Sequence, residues 1–215
     1  MDTPPFRHPV VVFDLDGTLV RSTTVSLLLA KGLGHLPAVE ELERGYDAHL
    51  LDNEEFTHRE AALFAGTPAA RAVAQLREVP WIGGVKETLA ALTAGGCTLL
   101  LTTLAWQFAV EELEHRHFFS EVRGAGLEVV DGVFTGRVER HFHEEDKRSF
   151  VESWCAARGI PLSEVAAVGD SRTDLHLFAA VGTAVAVNAS PEARAAARHT
   201  VDTDDLRAIL PLLRG

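Results

Sequence analysis

A short apolar run that ends in two carboxylates is the feature that most constrains the fold of this chain. Residues 10 to 13 are Val-Val-Val-Phe, and Asp14 and Asp16 follow directly, before Gly17. Consecutive β-branched and aromatic residues predict a strand that is buried on both faces of a parallel sheet. Because ligands of open α/β sheets bind beyond the carboxyl ends of the strands, we expect the two aspartates to lie in a binding site.

The chain after this strand shows helical patterns alone, with apolar side chains at spacings of three and four. Asp52 followed by Glu55 indicates a capping-box variant that opens one helix. Thr67 before Pro68 indicates the start of another helix. We therefore predict a row of helices that forms a small all-helical cap domain over residues 21 to 80.

After the cap the pattern alternates between strands and helices, and Asp-Gly marks the turn of a β-hairpin over residues 128 to 138. This alternation predicts an α/β fold, a Rossmann-like three-layer α/β/α core with a parallel sheet. The core would consist of residues 1 to 20 and 81 to 215. The strand-like runs after the cap are residues 98 to 101, 165 to 168 and 183 to 187.

The predicted strands bring oxygen ligands to one edge of the sheet. Thr102 and Thr103 follow the second strand, Asp170 follows the third, and Asp174 comes four residues later. Clustered carboxylates raise one another's pKa unless a cation lies among them. Mg²⁺, a hard ion that prefers oxygen ligands, is therefore the expected cofactor, and beside it a carboxylate such as Asp14 can attack phosphorus.

Lys147 is the expected source of positive charge beside the metal. The chain has three lysines among its 20 basic residues, and Lys147 lies just before a helical pattern that carries Phe150 and Trp154. The predicted topology returns this helix to the same edge of the sheet. Because an ammonium group is compact and has several rotatable donors, it is suited to joining a phosphoryl oxygen to a carboxylate.

Composition argues against some classes of partner. The formal net charge is −11, which disfavours a nucleic acid or an anionic membrane surface as a partner. No stretch approaches the roughly 20 apolar residues of a membrane span, and residues 1 to 9 do not have the pattern of a secretory leader. We expect a cytoplasmic protein in which Cys97 and Cys155 are reduced, buried thiols.

Four short motifs, taken together and in order, resemble those of the haloacid dehalogenase superfamily. They are DLDGT from residue 14, a threonine after an apolar strand, the lysine at 147, and GDSRTD at 169 to 174. The resemblance extends from residue 10 to about residue 190. Helices inserted after the first motif, and the hairpin before the lysine, resemble the phosphoserine phosphatase-like branch with its helical cap.

The resemblance implies a role for each motif residue. Asp14 would be the nucleophile that forms an aspartyl-phosphate, and Asp16 would be the general acid/base. Thr102 would hydrogen-bond the phosphoryl group, with Thr103 as the alternative for that role, and Lys147 would neutralise the phosphoryl group and hold Asp14. The implied metal ligands are Asp14, Asp16 through its backbone carbonyl, Asp170, and Asp174 directly or through water.

These roles imply a Mg²⁺-dependent phosphatase that hydrolyses a small-molecule phosphate monoester. Two alternatives stay open: a phosphotransferase or phosphomutase that uses the same aspartyl-phosphate, and a binding protein without catalytic activity on this fold. Where the phosphoserine phosphatases carry a glutamate that reads the substrate amine, this chain has Thr23, which argues against phosphoserine as the substrate. The candidate substrate contacts are Thr23, Arg59, Thr103 and Asn188.

Overall fold

A single sheet of seven strands organises residues 6 to 214, the part of the chain that the computed structural model describes. The strands are β1 Val10–Phe13, β2 Thr98–Trp106, β3 Glu121–Val130, β4 Val133–Arg140, β5 Val165–Gly169, β6 Thr183–Val187 and β7 His199–Val201. Their order is β4-β3-β2-β1-β5-β6-β7, and only the β3–β4 pair is antiparallel. The first strand therefore lies at the centre of the sheet, between β2 and β5.

Helices cover both faces of this sheet. They are α1 Val25–Leu33, α2 Leu36–Asp47, α3 Asn53–Leu63, α4 Ala69–Val73, α5 Val85–Ala94, α6 Gln107–Glu111, α7 Glu144–Ala156, α8 Leu175–Phe178 and α9 Pro191–Ala196. Side chains of β1 alternate between two cores: Val11 packs in the same cluster as residues of α5, and Val12 in the same cluster as residues of α7, α8 and α9. Both cores exclude water, which explains why the β1 sequence is continuously apolar. The predicted three-layer α/β/α arrangement is confirmed.

The helical insertion after β1 consists of α1 to α4, as the spacing of apolar residues predicted. It also contacts the core at the tip of the β3–β4 hairpin. Phe134 and Gly66 are joined by a backbone hydrogen bond of 2.9 Å, and the Ala69 amide donates to the Gly132 carbonyl at 2.9 Å. Because β3–β4 belongs to the sheet, these bonds hold the far end of the insertion against the core. The boundary of the cap domain at residues 21 and 80 stays a prediction.

The hairpin prediction is confirmed in its details. Val130 pairs with Val133, and the two residues between them, Asp131 and Gly132, both have positive φ angles, of 51° and 77°. A two-residue turn with positive φ at both positions matches the right-handed twist of the strands that it joins, and Asp-Gly is a preferred sequence for it.

The C-terminal part of the sheet differs from the prediction. Leu206–Leu213 forms a 3₁₀ segment with Pro211 inside it, and proline has no N–H to donate to an α-helical hydrogen bond. Leu206, Ile209 and Leu213 of this segment are buried. The short helix α9 and the edge strand β7 were not predicted. Within residues 6 to 214, no helix combines the length and the apolar character needed to cross a membrane.

Candidate active site

The carboxyl ends of three adjacent strands open into one cavity of about 430 Å³. Phe13 of β1 pairs with Leu101 of β2 and with Val168 of β5, so the residues that follow these three positions emerge at the same edge. Several of them line the cavity, and we call four of these the strand floor: Asp14, Asp16, Thr103 and Asp170. The helical insertion closes the other side. We call that set the helical wall: Ser26, Leu27, Glu43, Tyr46, Asp47, Asn53 and Phe56.

Lys147 lies beneath the strand floor and binds three of its neighbours. Its Nζ donates to Asp14 Oδ1 at 2.7 Å, to Asp174 Oδ1 at 2.8 Å and to Thr173 Oγ1 at 2.9 Å. The side chain is fully buried, and α7 brings it there from the first helical turn after β4. All three donors of the ammonium group are thus used, which fixes the orientation of the Asp14 carboxylate.

The charges of this buried group depend on one another. Burial lowers the pKa of Lys147, but the carboxylates of Asp14 and Asp174 outweigh burial and hold the pKa above its ordinary value. Burial raises the pKa of Asp14 to about 6, against the opposing effect of the Lys147 ammonium. The ammonium therefore helps to keep Asp14 ionised in a place where burial would otherwise protonate it.

Asp174 holds the floor together and does not line the cavity. Its Oδ1 accepts from Lys147, while its Oδ2 accepts from the backbone amides of Asp170 and Ser171 at 3.0 and 3.2 Å. Both oxygens are thus used within the protein. This geometry favours the supporting role for Asp174 over direct contact with an ion.

Asp170 approaches the turn after β1 at very short range. Thr18 Oγ1 donates to Asp170 Oδ1 at 3.1 Å. Gly17 has a φ of +85°, and a Cβ atom on it would collide with the Asp170 carboxylate. Only glycine combines this conformation with this approach at low cost. Gly17 therefore allows two separate strand ends to share one site.

Asp16 belongs to the floor and also to the entry of the helical insertion. Its Oδ1 accepts from the Val25 amide at 2.9 Å, at the start of α1. Burial and then the neighbouring Asp14 carboxylate raise the pKa of Asp16 to about 8. A carboxyl group with that pKa carries a proton at neutral pH, as a general acid requires.

The floor, together with Asp174 behind it, carries the donor set of a hard cation site. Asp14, Asp170 and Asp174 present carboxylate oxygens that all lie within 4.8 Å of one another. Burial, then the charges of Asp14 and Asp174, raise the pKa of Asp170 to about 8. A cation among these oxygens would relieve the repulsion that raises this pKa, and oxygen donors suit a hard divalent ion. The residues present therefore fit a metal ion bound to oxygen ligands.

The threonine pair lies within β2, which continues to Trp106, and only one of the two threonines lines the cavity. Thr103 lines it, and its Oγ1 accepts from the Ala105 amide at 3.1 Å. Thr102, which was preferred from the sequence, is fully buried outside the lining, and its Oγ1 has no hydrogen-bond partner among residues 6 to 214. The two side chains leave β2 on opposite faces, so only one of them can reach a phosphoryl group in the cavity.

The other candidate contacts divide in the same way. Thr23 lines the cavity as expected. Arg59 does not: its side chain is exposed on α3 and paired with Glu55, one turn earlier. Asn188 does not either, because its amide group bonds to the backbone of Thr203 at 2.8 and 2.9 Å. Arg59 and Asn188 therefore lie outside this cavity.

Sequence reasoning missed Thr173 and most of the helical wall. Thr173 lies within the GDSRTD motif, and its hydroxyl completes the set of acceptors around Lys147. Its position between Asp170 and Asp174 was a usable signal. The wall residues carry no motif, and the spacing of apolar residues in α2 and α3 does not reveal which polar face turns towards the core.

The fold and the strand floor together define a class of protein. A model of the haloacid dehalogenase-like hydrolase family matches residues 11 to 179, and the chain belongs to that family.

Within the family the chain is similar to proteins of one kind. Phosphoserine phosphatases from Halobacterium salinarum and Methanocaldococcus jannaschii are 31% and 25% identical to it, over 91% and 97% of this chain and 93% and 99% of their own lengths. The phosphoserine phosphatase of Streptomyces coelicolor is 30% identical over 95% of this chain. The match covers 50% of that protein, so this chain spans about half of its length. The chain therefore belongs to the phosphoserine phosphatase-like branch.

Solved structures agree with this placement at the level of the fold. A phospho-aspartyl intermediate analogue of phosphoserine phosphatase has a TM-score of 0.86 at 24% identity, covering 97% of this chain and 100% of the other. A substrate-bound phosphoserine phosphatase complex has a TM-score of 0.86 at 23% identity, covering 100% of both chains.

Proposed function

We propose that this chain is a Mg²⁺-dependent phosphatase that hydrolyses a small-molecule phosphate monoester through an aspartyl-phosphate on Asp14. One observation carries the proposal: a fully buried Lys147 holds Asp14 at 2.7 Å on the floor of a cavity that also presents Asp16 and Asp170. This arrangement supports the assignment of a nucleophile, an acid and a cation site around one position. Positioning and charge neutralisation supply most of the catalysis in phosphoryl transfer.

In the first half-reaction, a carboxylate oxygen of Asp14 attacks phosphorus. The bond between phosphorus and the alcohol oxygen breaks as the new bond to Asp14 forms. Asp16 gives its proton to the departing alkoxide, and the alcohol leaves. We assign two groups of the chain to stabilising the negative charge on the transferring phosphoryl group: the Lys147 ammonium and the Thr103 hydroxyl.

In the second half-reaction, a water molecule attacks the phosphorus of the aspartyl-phosphate. Asp16, now ionised, takes a proton from this water, and the bond between Asp14 and phosphorus breaks. Inorganic phosphate leaves, and both aspartates return to their first states. The helical insertion, residues 21 to 80, would act as a cap that keeps other water from the intermediate and opens for release.

Mg²⁺ would be held by Asp14, the Asp16 carbonyl and Asp170, with Asp174 supporting them through water and through its bonds to the Asp170 loop. When bound, the ion supplies Lewis-acid neutralisation of the phosphoryl oxygens. The assignment rests on the donor chemistry of these residues, which is all oxygen.

The test is release of inorganic phosphate from a panel of phosphorylated metabolites, with and without Mg²⁺. We expect turnover that requires Mg²⁺ and disappears in Asp14→Asn, which keeps the size of the side chain but removes the nucleophilic oxygen. Asp131→Asn, at the hairpin turn, is the matched control and should keep wild-type turnover.

Two outcomes would contradict the proposal. Turnover retained in Asp14→Asn would exclude the aspartyl-phosphate. Transfer of phosphate to an added alcohol in place of water would identify the protein as a phosphotransferase that uses the same intermediate.

A further inference from the structure

The helical wall and the strand floor differ in how their charges are balanced. Five carboxylates line the cavity, and among its described lining residues there is no lysine, arginine or histidine. Lys147 and the proposed Mg²⁺ would account for the charge of the floor. Nothing comparable accounts for Glu43 and Asp47 on the wall, since neither forms an ion pair with any residue from 6 to 214.

Glu43 is the wall carboxylate best placed to recognise a ligand. It is half-buried on α2, and the Thr24 hydroxyl is its only hydrogen-bond donor within the described part of the chain. Burial raises its pKa, and its charge acts on both Asp16 and Glu60. A partly desolvated carboxylate with one neutral donor gains more from a cationic partner than an exposed carboxylate would.

The same wall carries aromatic surface. Phe56 of α3 lines the cavity and packs against Tyr46 of α2, with ring centroids 5.8 Å apart. One face of Tyr46 already binds a cation, since the Arg172 guanidinium lies 4.0 Å from its ring centroid. Aromatic rings beside carboxylates are a common environment for ammonium groups.

A second carboxyl group lies next to the wall, and one of its oxygens has no hydrogen-bond partner in the described part of the chain. Glu60 is 2% exposed, and its Oε1 has no hydrogen-bond partner among residues 6 to 214. Its neighbour Ser26 is a residue of the wall. Burying such an acid costs stability unless its polar atoms are paired. Glu60 therefore adds a second buried acid behind Ser26, close enough to Glu43 for the two charges to interact.

We propose that the substrate is a phosphate monoester whose other end carries a cationic amine and no carboxylate, with Glu43 as the residue that recognises the amine. This inference rests on the proposed phosphatase function. A carboxylate at that end would face Glu43 and Asp47 with no positive side chain on the cavity lining to pair with it, so the site would reject it by repulsion. The unpaired wall thus selects by charge.

The experiment compares three series of substrates of equal length: ω-aminoalkyl phosphates, alkyl phosphates and ω-carboxyalkyl phosphates. Each series runs from about two to five carbons, a length chosen to fit a cavity of this size. We expect kcat/KM for the best amine to exceed that of its neutral counterpart by about 10- to 100-fold. The carboxylate series should be the poorest of the three.

Variants of α2 locate the effect. Glu43→Gln should bring the ratio of amine to neutral kcat/KM close to one, mainly through KM, and Glu43→Lys should reverse the order of the amine and carboxylate series. Glu40→Gln, an exposed glutamate on the same helix outside the cavity lining, is the matched control and should keep the wild-type ratio.

The two proposals fail in distinguishable ways. Equal turnover of all three series would overturn the amine inference and leave the phosphatase intact. If no series is turned over, calorimetric titration of Asp14→Asn with the same compounds and Mg²⁺ still decides the inference. Preferential binding of the amine would support it, and equal binding or none would overturn it.

Discussion

The strand floor and the helical wall of one cavity are built in opposite ways. At the floor, Asp14 forms an ion pair with the buried Lys147, whose ammonium group uses all three of its donors on residues of the chain. On the wall, Glu43 has a single donor and Asp47 forms no ion pair within residues 6 to 214.

This difference suits the two halves to different tasks. A transition state for phosphoryl transfer needs groups that do not have to reorganise during the reaction. A specificity surface needs charge that is left for the ligand to pair. The following experiments test whether the contrast is real, beginning with the largest expected effect.

Removing the central cation of the floor should be the most damaging single change. Lys147→Met leaves Asp14 and Asp174 buried without their partner, and we expect a loss of about 3–5 kcal/mol in the free energy of unfolding. Activity should fall by about 10²- to 10³-fold. Urea denaturation and phosphate release measure the two effects. Lys31→Met, on the exposed face of α1, is the control; an equal loss there would mean that the buried pairing of Lys147 is not the cause.

A methyl group added at Gly17, where the turn after β1 approaches Asp170, should also destabilise the floor. Gly17→Ala combines a positive φ with a collision against Asp170, for an expected cost of about 3 kcal/mol. Gly34→Ala has nearly the same φ, +87°, but no atom within 4 Å of the new Cβ, so it should cost about 1–2 kcal/mol. Thermal unfolding separates the two. Equal costs would show that the collision with Asp170 contributes nothing.

The threonine pair tests which side chain reaches the phosphoryl group. Thr103→Val removes a hydroxyl from the cavity lining, and we expect kcat/KM to fall by about 10²-fold. Thr102→Val removes a buried hydroxyl that has no partner in the described structure, so activity should stay within about twofold and stability should be unchanged or higher. Steady-state kinetics on both variants decide the assignment; the opposite pattern would restore Thr102 to the catalytic role.

The buried acid beside the wall should make stability depend on pH. Burial raises the pKa of Glu60 from 4.5 to about 7, although Ser26 and Trp106 lower it. The folded protein therefore holds this proton more tightly than the unfolded chain does. The resulting stability is fully present below pH 4.5 and is lost as the pH rises through about 7.

Glu60→Gln should make this dependence smaller, because only the contribution of Glu60 is lost, and the variant should be more stable than the wild type above pH 7 by about 2 kcal/mol. Unfolding free energies measured from about pH 5 to pH 8 test whether stability falls as the pH rises. Glu54→Gln, an exposed acid on the same helix, should leave the wild-type slope in place. A wild type that becomes more stable with rising pH through this window would contradict the pKa of Glu60.

The residues that could be predicted from the sequence are those whose positions follow from strand geometry. Asp14 and Asp16 extend a buried strand, and Asp170 extends another. Because these strands are adjacent and parallel, their ends meet without any detailed knowledge of packing. Lys147 could be predicted as part of the site because it lies at the start of α7, which the predicted topology returns to the same edge of the sheet.

The placements that the sequence did not reveal are those where packing decides the direction of a side chain. The β2–β3 register shifts between Thr102 and Trp106, so simple alternation did not reveal which threonine faces the cavity. Arg59 and Glu60 are neighbours on α3, yet one is exposed and the other is buried. The helical spacing allowed either arrangement.

By itself, then, the sequence determined the α/β architecture, the helical insertion and the strand-end aspartates, because apolar periodicity and strand ends are local properties of the chain. Only the tertiary structure decided that Thr103 and not Thr102 lines the cavity, that Arg59 and Asn188 lie outside it, and that Glu43 and Phe56 form its wall. Those outcomes depend on the rotation of each helix and the register of each strand against its neighbours, and that is set by long-range packing.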